Sequence, residues 1–112
     1  GELTCVEVSP FNVAILKGHG LNAICADFLA WESASLYDVV VMNPPFSGGR
    51  ARLHVVKAAS LLSPGGRLVA VMPASAKGKE VVPGLRHQWS DIYENQFAGT
   101  GVSVVLLKLS QP

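Results

Sequence analysis

Asp38-Val39-Val40-Val41-Met42-Asn43-Pro44-Pro45-Phe46 is an apolar, β-branched run that stops at a polar residue and two prolines. Such a run reads as a buried parallel strand that delivers a rigid loop at its carboxyl end. In an open α/β sheet, that end is where ligands bind. Each loop residue has a physical use. Pro44 and Pro45 have fixed φ and no N–H, so the chain leaves the strand in one shape and offers backbone carbonyls as acceptors. Asn43 adds a side-chain carbonyl beside them. Phe46 supplies a flat apolar face for stacking. Together these groups suit a planar substrate carrying an NH2 group.

Upstream, Leu3–Val8 reads as a strand with Glu7 near its end. Ser9 is a natural N-cap and Pro10 a good first helical residue, so a helix is expected from Pro10 to Lys17, closed by Gly18 or Gly20. Leu21–Ala26 is the next strand, ending at Asp27-Phe28. Read alone, Glu7 is a charge that favours the helix dipole, and Asp27 is a cap for the turn through Leu29-Ala30-Trp31. Trp31–Leu36 is a loop or a single helical turn.

Downstream, Ser47-Gly48-Gly49 is a flexible connection, and a helix is expected from Arg50 to Leu62. Val55, Val56, Ala59 and Leu62 form its apolar stripe, with Arg50 and Lys57 on the other side. Arg50 and Arg52 lie near enough to the loop to meet a phosphate, although such residues are commonly a solvated face. Ser63-Pro64-Gly65-Gly66 is a stop and a turn, and Arg67–Met72 is a second buried parallel strand that Pro73 ends. Strand, crossover helix and strand make a right-handed unit. Lys77–Leu85 reads as a helix broken at Pro83-Gly84. Asp91–Phe97 and Val102–Leu109 read as two strands joined by the turn Ala98-Gly99-Thr100-Gly101.

The 112 residues suit one domain, 1–112, and 49% apolar against 15% charged content argues for a packed core rather than disorder. A net charge of +1 makes no demand for nucleic acid. No run is long enough to span a membrane and no signal peptide is visible, so no membrane partner is expected. Cys5 and Cys25 lack metal-ligand spacing and read as free buried thiols in a cytoplasmic protein. His19, His54 and His87 form no pattern and read as surface or turn residues, so no metal is expected.

Asn43-Pro44-Pro45-Phe46 after an apolar strand, in this order of segments, resembles the catalytic loop of the amino-methylating class I S-adenosylmethionine (SAM) methyltransferases. That branch includes DNA adenine-N6, RNA guanine-N2 and protein-glutamine enzymes. Leu61-Leu62-Ser63-Pro64-Gly65-Gly66-Arg67-Leu68-Val69-Ala70-Val71 is a further point of resemblance. The resemblance implies an α/β, Rossmann-like sheet, mostly parallel with an antiparallel C-terminal hairpin. It implies SAM as cofactor, with Glu7 accepting from the ribose hydroxyls, Asp27 from the adenine amino group, and Phe28 packing on the adenine ring. It makes Asn43, Pro44, Pro45 and Phe46 the catalytic loop, with Asn43 also at the cofactor. Adenine N6 in DNA is the first expected acceptor. Guanine N2 in rRNA, a protein glutamine, or a non-catalytic binding module are the alternatives.

The family's first strand and Gly-rich turn should precede Glu7, yet only six residues stand before it and none forms a G-x-G pattern. The expectation is therefore a truncated sheet from a larger protein, which would act on nucleic acid, DNA before RNA. The strands ending at Glu7 and Met42 should then show unpaired edges. By itself the chain should associate, as a dimer for example, and neither bind SAM at micromolar concentration nor turn over.

Overall fold

A computed structural model describes residues 3–7, 9–94 and 103–112. The chain divides into two compact units, Gly1–Ser33 and Ala34–Pro112.

The first unit is β1 (Thr4–Glu7), α1 (Pro10–Gly18) and β2 (Asn22–Cys25). The strands are parallel, with Thr4 opposite Asn22 and Glu7 opposite Cys25. Ser9 Oγ accepts from the Asn12 N–H at 3.3 Å and Pro10 opens the helix, as the sequence predicts. At the other end, Gly20 N–H donates to Lys17 O at 2.9 Å and Leu21 N–H to Leu16 O at 3.1 Å. This is a Schellman cap, and Gly20 provides the left-handed residue it needs, at φ +79°. α1 packs on both strands, burying Val13 and Ala23.

The second unit is β3 (Tyr37–Met42), α2 (Arg50–Ser60), β4 (Leu62–Pro73), β5 (Arg86–Trp89) and β6 (Val104–Ser110). Its sheet has the order β3-β4-β6-β5. β3 and β4 are parallel, whereas β6 runs antiparallel to both β4 and β5. The cross-strand pairs Leu68–Leu109, Ala70–Leu107 and Met72–Val105 put six side chains on one face. All six are buried and form the core of this unit. α2 packs against β4. The fold is the expected Rossmann-like α/β arrangement of parallel strands, crossover helix and antiparallel last strand.

Several expectations need correction. The α2 stripe is Ala51, Val55 and Ala58, which are buried, while Val56 is exposed and Leu62 belongs to the next strand. The i, i+4, i+7 spacing of the small residues, rather than the largest apolar ones, sets the buried face. Ser63-Pro64-Gly65-Gly66 is not a turn before a strand but a bulge within β4. Tyr37 pairs with Leu62 and Val39 with Arg67, so only Asp38 stands opposite these four residues. Ser63 Oγ donates to Asp38 Oδ1, tying the bulge to β3. Gly65 takes φ +78°. A Cβ on Gly66 would lie 2.9 Å from Ser63 O and 3.1 Å from Asp38 O.

The expected helix over Lys77–Leu85 is absent. A 3-10 turn at Ala74–Ala76 leads into irregular chain. His87 organises that chain: Nε2 accepts from the N–H groups of Val81 at 3.0 Å and Val82 at 3.2 Å, and Nδ1 lies 3.0 Å from Leu85 O. The neutral tautomer with its hydrogen on Nδ1 satisfies all three, so His87 is a structural clamp rather than a simple surface residue. Arg86–Trp89 is a strand beside β6 that the sequence reading missed, and of the expected strand Asp91–Phe97 only residues 91–94 are described, with residues 95–97 outside the described residues. Tyr93 makes only an isolated bridge to Val104, and the expected turn Ala98–Gly101 lies outside the described residues. β6 sits inside the sheet, between β4 and β5.

Cys5 is half-buried and Cys25 exposed, rather than buried as expected, since β1 and β2 form a narrow two-stranded ribbon. β3 is parallel but not buried. It pairs only with β4 among the described residues, and Val39 and Val41 are 52% and 79% exposed. β1 likewise pairs only with β2 among those residues. These are the two open edges expected from the sequence.

Candidate active site

Within the first unit, the carboxyl ends of two adjacent parallel strands carry the acidic residues. Glu7 closes β1 opposite Cys25, and the Ala26 N–H continues the ladder onto Glu7 O at 3.0 Å. Asp27 is therefore one residue beyond the last rung, on the neighbouring strand. Neighbouring strands run about 5 Å apart. Two carboxylates at this spacing offer acceptors to one extended ligand crossing both strand ends.

Both also serve the local backbone. Glu7 Oε1 accepts from the Ser9 N–H at 3.0 Å, at the start of α1. Asp27 Oδ1 accepts from Leu29 N–H at 3.0 Å, and Asp27 O accepts from Ala30 N–H at 3.0 Å and Trp31 N–H at 2.9 Å. The turn reading of Asp27 is thus physically present. Neither bond uses up a carboxylate, which has about four lone-pair sites, and each holds its side chain in one place. Phe28 and Trp31 form a tilted aromatic pair with centroids 6.2 Å apart. Trp31, which reads from the sequence as part of a loop, belongs to this corner. The turn places it three residues after Phe28, a spacing visible in the sequence but not decisive.

Within the second unit, β3 ends at Met42 and the chain leaves it as an irregular loop. Asn43 is exposed, Pro44 is buried, Pro45 is exposed and Phe46 is half-buried. A buried proline anchors the loop while the residues on either side face outward. Among the described residues, the Asn43 side chain and the Pro44 carbonyl have no hydrogen-bond partner. Phe46 precedes a 3-10 turn at Ser47–Gly49 that leads directly into α2. Gly48 and Gly49 have φ +64° and +73°, which explains the glycine pair. Arg50 Nε donates to Ser47 O at 3.2 Å and Arg50 Nη2 to Ser47 Oγ, fastening the helix start to the loop.

Other features stand apart. A depression of about 400 Å³, lined by Leu3, Gly20, Leu21 and Asn22, lies at the amino ends of β1 and β2, away from Glu7 and Asp27. Among the described residues no His, Cys, Asp and Glu cluster could hold a metal ion. No helix among them is long and apolar enough to cross a membrane.

Residues 2–98 match the methyltransferase small domain family. The chain belongs to that family. No curated protein matches this member of the methyltransferase small domain family. Among solved structures, it is similar to the N-methyltransferase NodS from Bradyrhizobium japonicum WM9, at 17% identity and a TM-score of 0.69, over 99% of this chain and 74% of that one. It is similar to a putative methyltransferase from Thermoplasma acidophilum at 18% identity and a TM-score of 0.73, over 99% of this chain and 57% of that one. TrmN from Thermus thermophilus gives 17% identity and a TM-score of 0.73, over 99% of this chain and 36% of that one. At such identities the likeness concerns the fold. The small domain thus spans 36% to 74% of these three chains.

Proposed function

We propose that the protein transfers a methyl group from SAM to an exocyclic amino nitrogen, with adenine N6 in DNA as the first acceptor. The observation that carries this reading is the Asn43-Pro44-Pro45-Phe46 loop at the carboxyl end of β3, with its exposed amide beside a buried proline. Membership in a methyltransferase family supports the reaction class. A NodS structure, 19% identical, contains S-adenosyl-L-homocysteine, which supports SAM as cofactor.

The family match runs across both units, so we read 1–112 as parts of one cofactor-binding domain. Glu7 accepts from the ribose hydroxyls, Asp27 from the adenine amino group, and Phe28 lies against the adenine ring. The carboxylates at adjacent strand ends suit an adenosine laid across them. When bound, the cofactor supplies an electrophilic methyl carbon on a sulfonium.

The acceptor NH2 is a poor nucleophile because its lone pair is conjugated with the ring. Asn43 Oδ1 and the Pro44 carbonyl accept its two N–H groups, which draws the nitrogen toward a tetrahedral shape and stabilises positive charge as it develops. The C–N bond forms as the carbon–sulfur bond breaks, the bonding pair stays on sulfur, and the surplus proton on nitrogen leaves to solvent. No strong base is needed before attack. Phe46 stacks on the base once it is flipped out of a duplex.

The test uses full-length protein, radiolabelled SAM and three acceptors: DNA, rRNA and a glutamine-containing protein. The expected product is N6-methyladenine in hydrolysed DNA. Label in guanine N2 or glutamine reassigns the acceptor. Label in none of them removes the catalytic reading in favour of a binding module.

A further inference from the structure

The net charge of +1 conceals a strong asymmetry. Residues 1–33 carry one cation, Lys17, against four acids, Glu2, Glu7, Asp27 and Glu32, a net of −3. Residues 34–112 carry eight cations against four acids, a net of +4. The cofactor-side unit is therefore acidic and the catalytic-loop unit basic. A bound cofactor with a cationic sulfonium suits the first, and the second suits an anionic partner.

The basic charge of the second unit is not evenly spread. β3 and β4 are parallel with Met42 opposite Ala70, so the Asn43 loop and the chain beyond Pro73 leave the sheet at the same edge. Arg50 and Arg52 stand in the first turn of α2, just after the loop, and Arg50 is fixed to Ser47. Lys77 and Lys79 lie in two successive tight turns beyond β4, closed by Lys77 N–H to Ala74 O and Lys79 N–H to Ala76 O, both at 3.1 Å. All four side chains are exposed.

The acids are placed differently. Asp38 is at the opposite end of β3 and engaged by Ser63. Asp91 and Glu94 follow β5, the outermost strand on the far side of the sheet. Glu80 directly follows Lys79 and offsets one of the four positive charges, so the four cations and this acid leave a net of +3 at this end. Along the edge that bears the catalytic loop, charge thus runs from positive at β3 and β4 to negative beyond β5.

We infer that Arg50, Arg52, Lys77 and Lys79 form a rim that holds the phosphate backbone of a nucleic acid, so that the strand crosses the β3–β4 end of the sheet beside Asn43. This rests on the nucleic-acid reading of the substrate given above. Two cations from each of two segments at the same end of the sheet as the loop contact phosphates next to the target nucleotide and leave the base free to reach Asn43 and Phe46. The acids beyond β5 turn the backbone away from the far edge.

The same unit contains its own control. Arg67 and Arg86 both stand opposite Ser110, the last residue of β6, with Arg67 directly after the β4 bulge and Arg86 at the amino end of β5. Arg52→Ala/Lys79→Ala and Arg67→Ala/Arg86→Ala remove equal charge from opposite edges of one sheet. Full-length wild type and both double variants are titrated with a fluorescent single-stranded oligodeoxynucleotide by anisotropy over a series of salt concentrations, after circular dichroism confirms folding. Lys57→Ala/Lys108→Ala replaces the control pair if that pair does not fold.

The slope of log affinity against log salt is expected to fall by about 1.4 in magnitude in the rim variant, since each phosphate that a side chain neutralises on a single strand adds about 0.7 and two such cations are removed. The control is expected to keep the wild-type slope. Equal loss in both variants, an unchanged slope in the rim variant, or a wild type that does not bind the oligonucleotide overturns the proposal. Wild type that binds through the rim but methylates no base rejects the catalytic reading and retains the rim. Methylation of DNA with an unchanged slope in the rim variant rejects the rim alone.

Discussion

Glu7 holds the Ser9 N–H with one carboxylate oxygen, which fixes the carboxylate between the end of β1 and the start of α1. That bond separates two roles by mutation. Glu7→Gln keeps an acceptor for Ser9 but loses the charge, while Glu7→Ala loses both. Hydrogen bonds to charged groups contribute about 1.5–3 kcal/mol, so Glu7→Ala in the full-length protein is expected to weaken SAM roughly tenfold or more in titration calorimetry. Asp27→Asn keeps the bond to Leu29 and should keep the turn, so a weakened SAM affinity in that variant isolates the adenine contact from the turn. Unchanged affinity in either variant returns that residue to its local backbone role. Asn43→Ala is expected to lower methyl transfer by about a hundredfold or more with SAM affinity nearly unchanged, by analogy with loss of one preorganised hydrogen-bond group. Full activity in that variant would sink its assignment. The chemical types at these positions were legible in the sequence because a carboxylate at a strand end or an amide before two prolines has few uses. The cap that Ser9 forms was legible too, whereas the roles of Trp31 and Ser47 toward their neighbours were not, since each depends on which group the folded chain brings near.

At the level of elements, the β4 bulge and the clamped chain before β5 carry their own tests. Gly66→Ala places a methyl group against the backbone oxygens of Ser63, Asp38 and Tyr37, none of which is a flexible side-chain end. Overpacking of this kind costs about 1–3 kcal/mol, so the variant should melt several degrees lower. His87→Ala removes the acceptor for the Val81 and Val82 N–H groups. An unsatisfied buried donor costs about 1–3 kcal/mol, so those two amides should exchange with deuterium faster than in the wild type. Equal exchange would show that the clamp is not what holds this segment. Strand and helix periodicity located β1, α1, β2, β3 and α2 closely, because each is a single amphipathic or apolar run between turn residues. It failed at β5, since Arg-His-Gln-Trp has no apolar alternation and owes its strand to pairing with β6. It failed at the start of β4 because proline and two glycines signal a turn equally well when they form a bulge.

For the whole chain, the order of strands matters more than their number. β1 and β3 each have one unpaired side among the described residues, and Val39 and Val41 lie exposed on one face of β3. Exposed apolar edges template pairing with other chains. The 112-residue chain is therefore expected to sediment as a dimer or larger species at micromolar concentration, and Val41→Lys to shift it toward monomer. A wild-type monomer in sedimentation equilibrium would show that these edges are covered in another way. The exposure of Val39 and Val41 was not legible from the sequence, because an all-apolar β-branched run reads as buried on both faces. The interior place of β6 was legible only in part, since hairpin signals tell which strands meet but not which lies inside the sheet.

That place of β6 governs the timing of folding. β4 and β5 pair with β6 and not with each other, so neither completes its side of the sheet until this later-made strand arrives. During synthesis the apolar faces of Leu68, Ala70 and Met72 wait without Leu109, Leu107 and Val105 opposite them. Pairings between distant parts of a chain form slowly, and the interval leaves sticky surface open to other molecules. A ribosome-stalled chain ending before Val104 would for this reason be the form most dependent on chaperones, while release of β6 would close the sheet in one step.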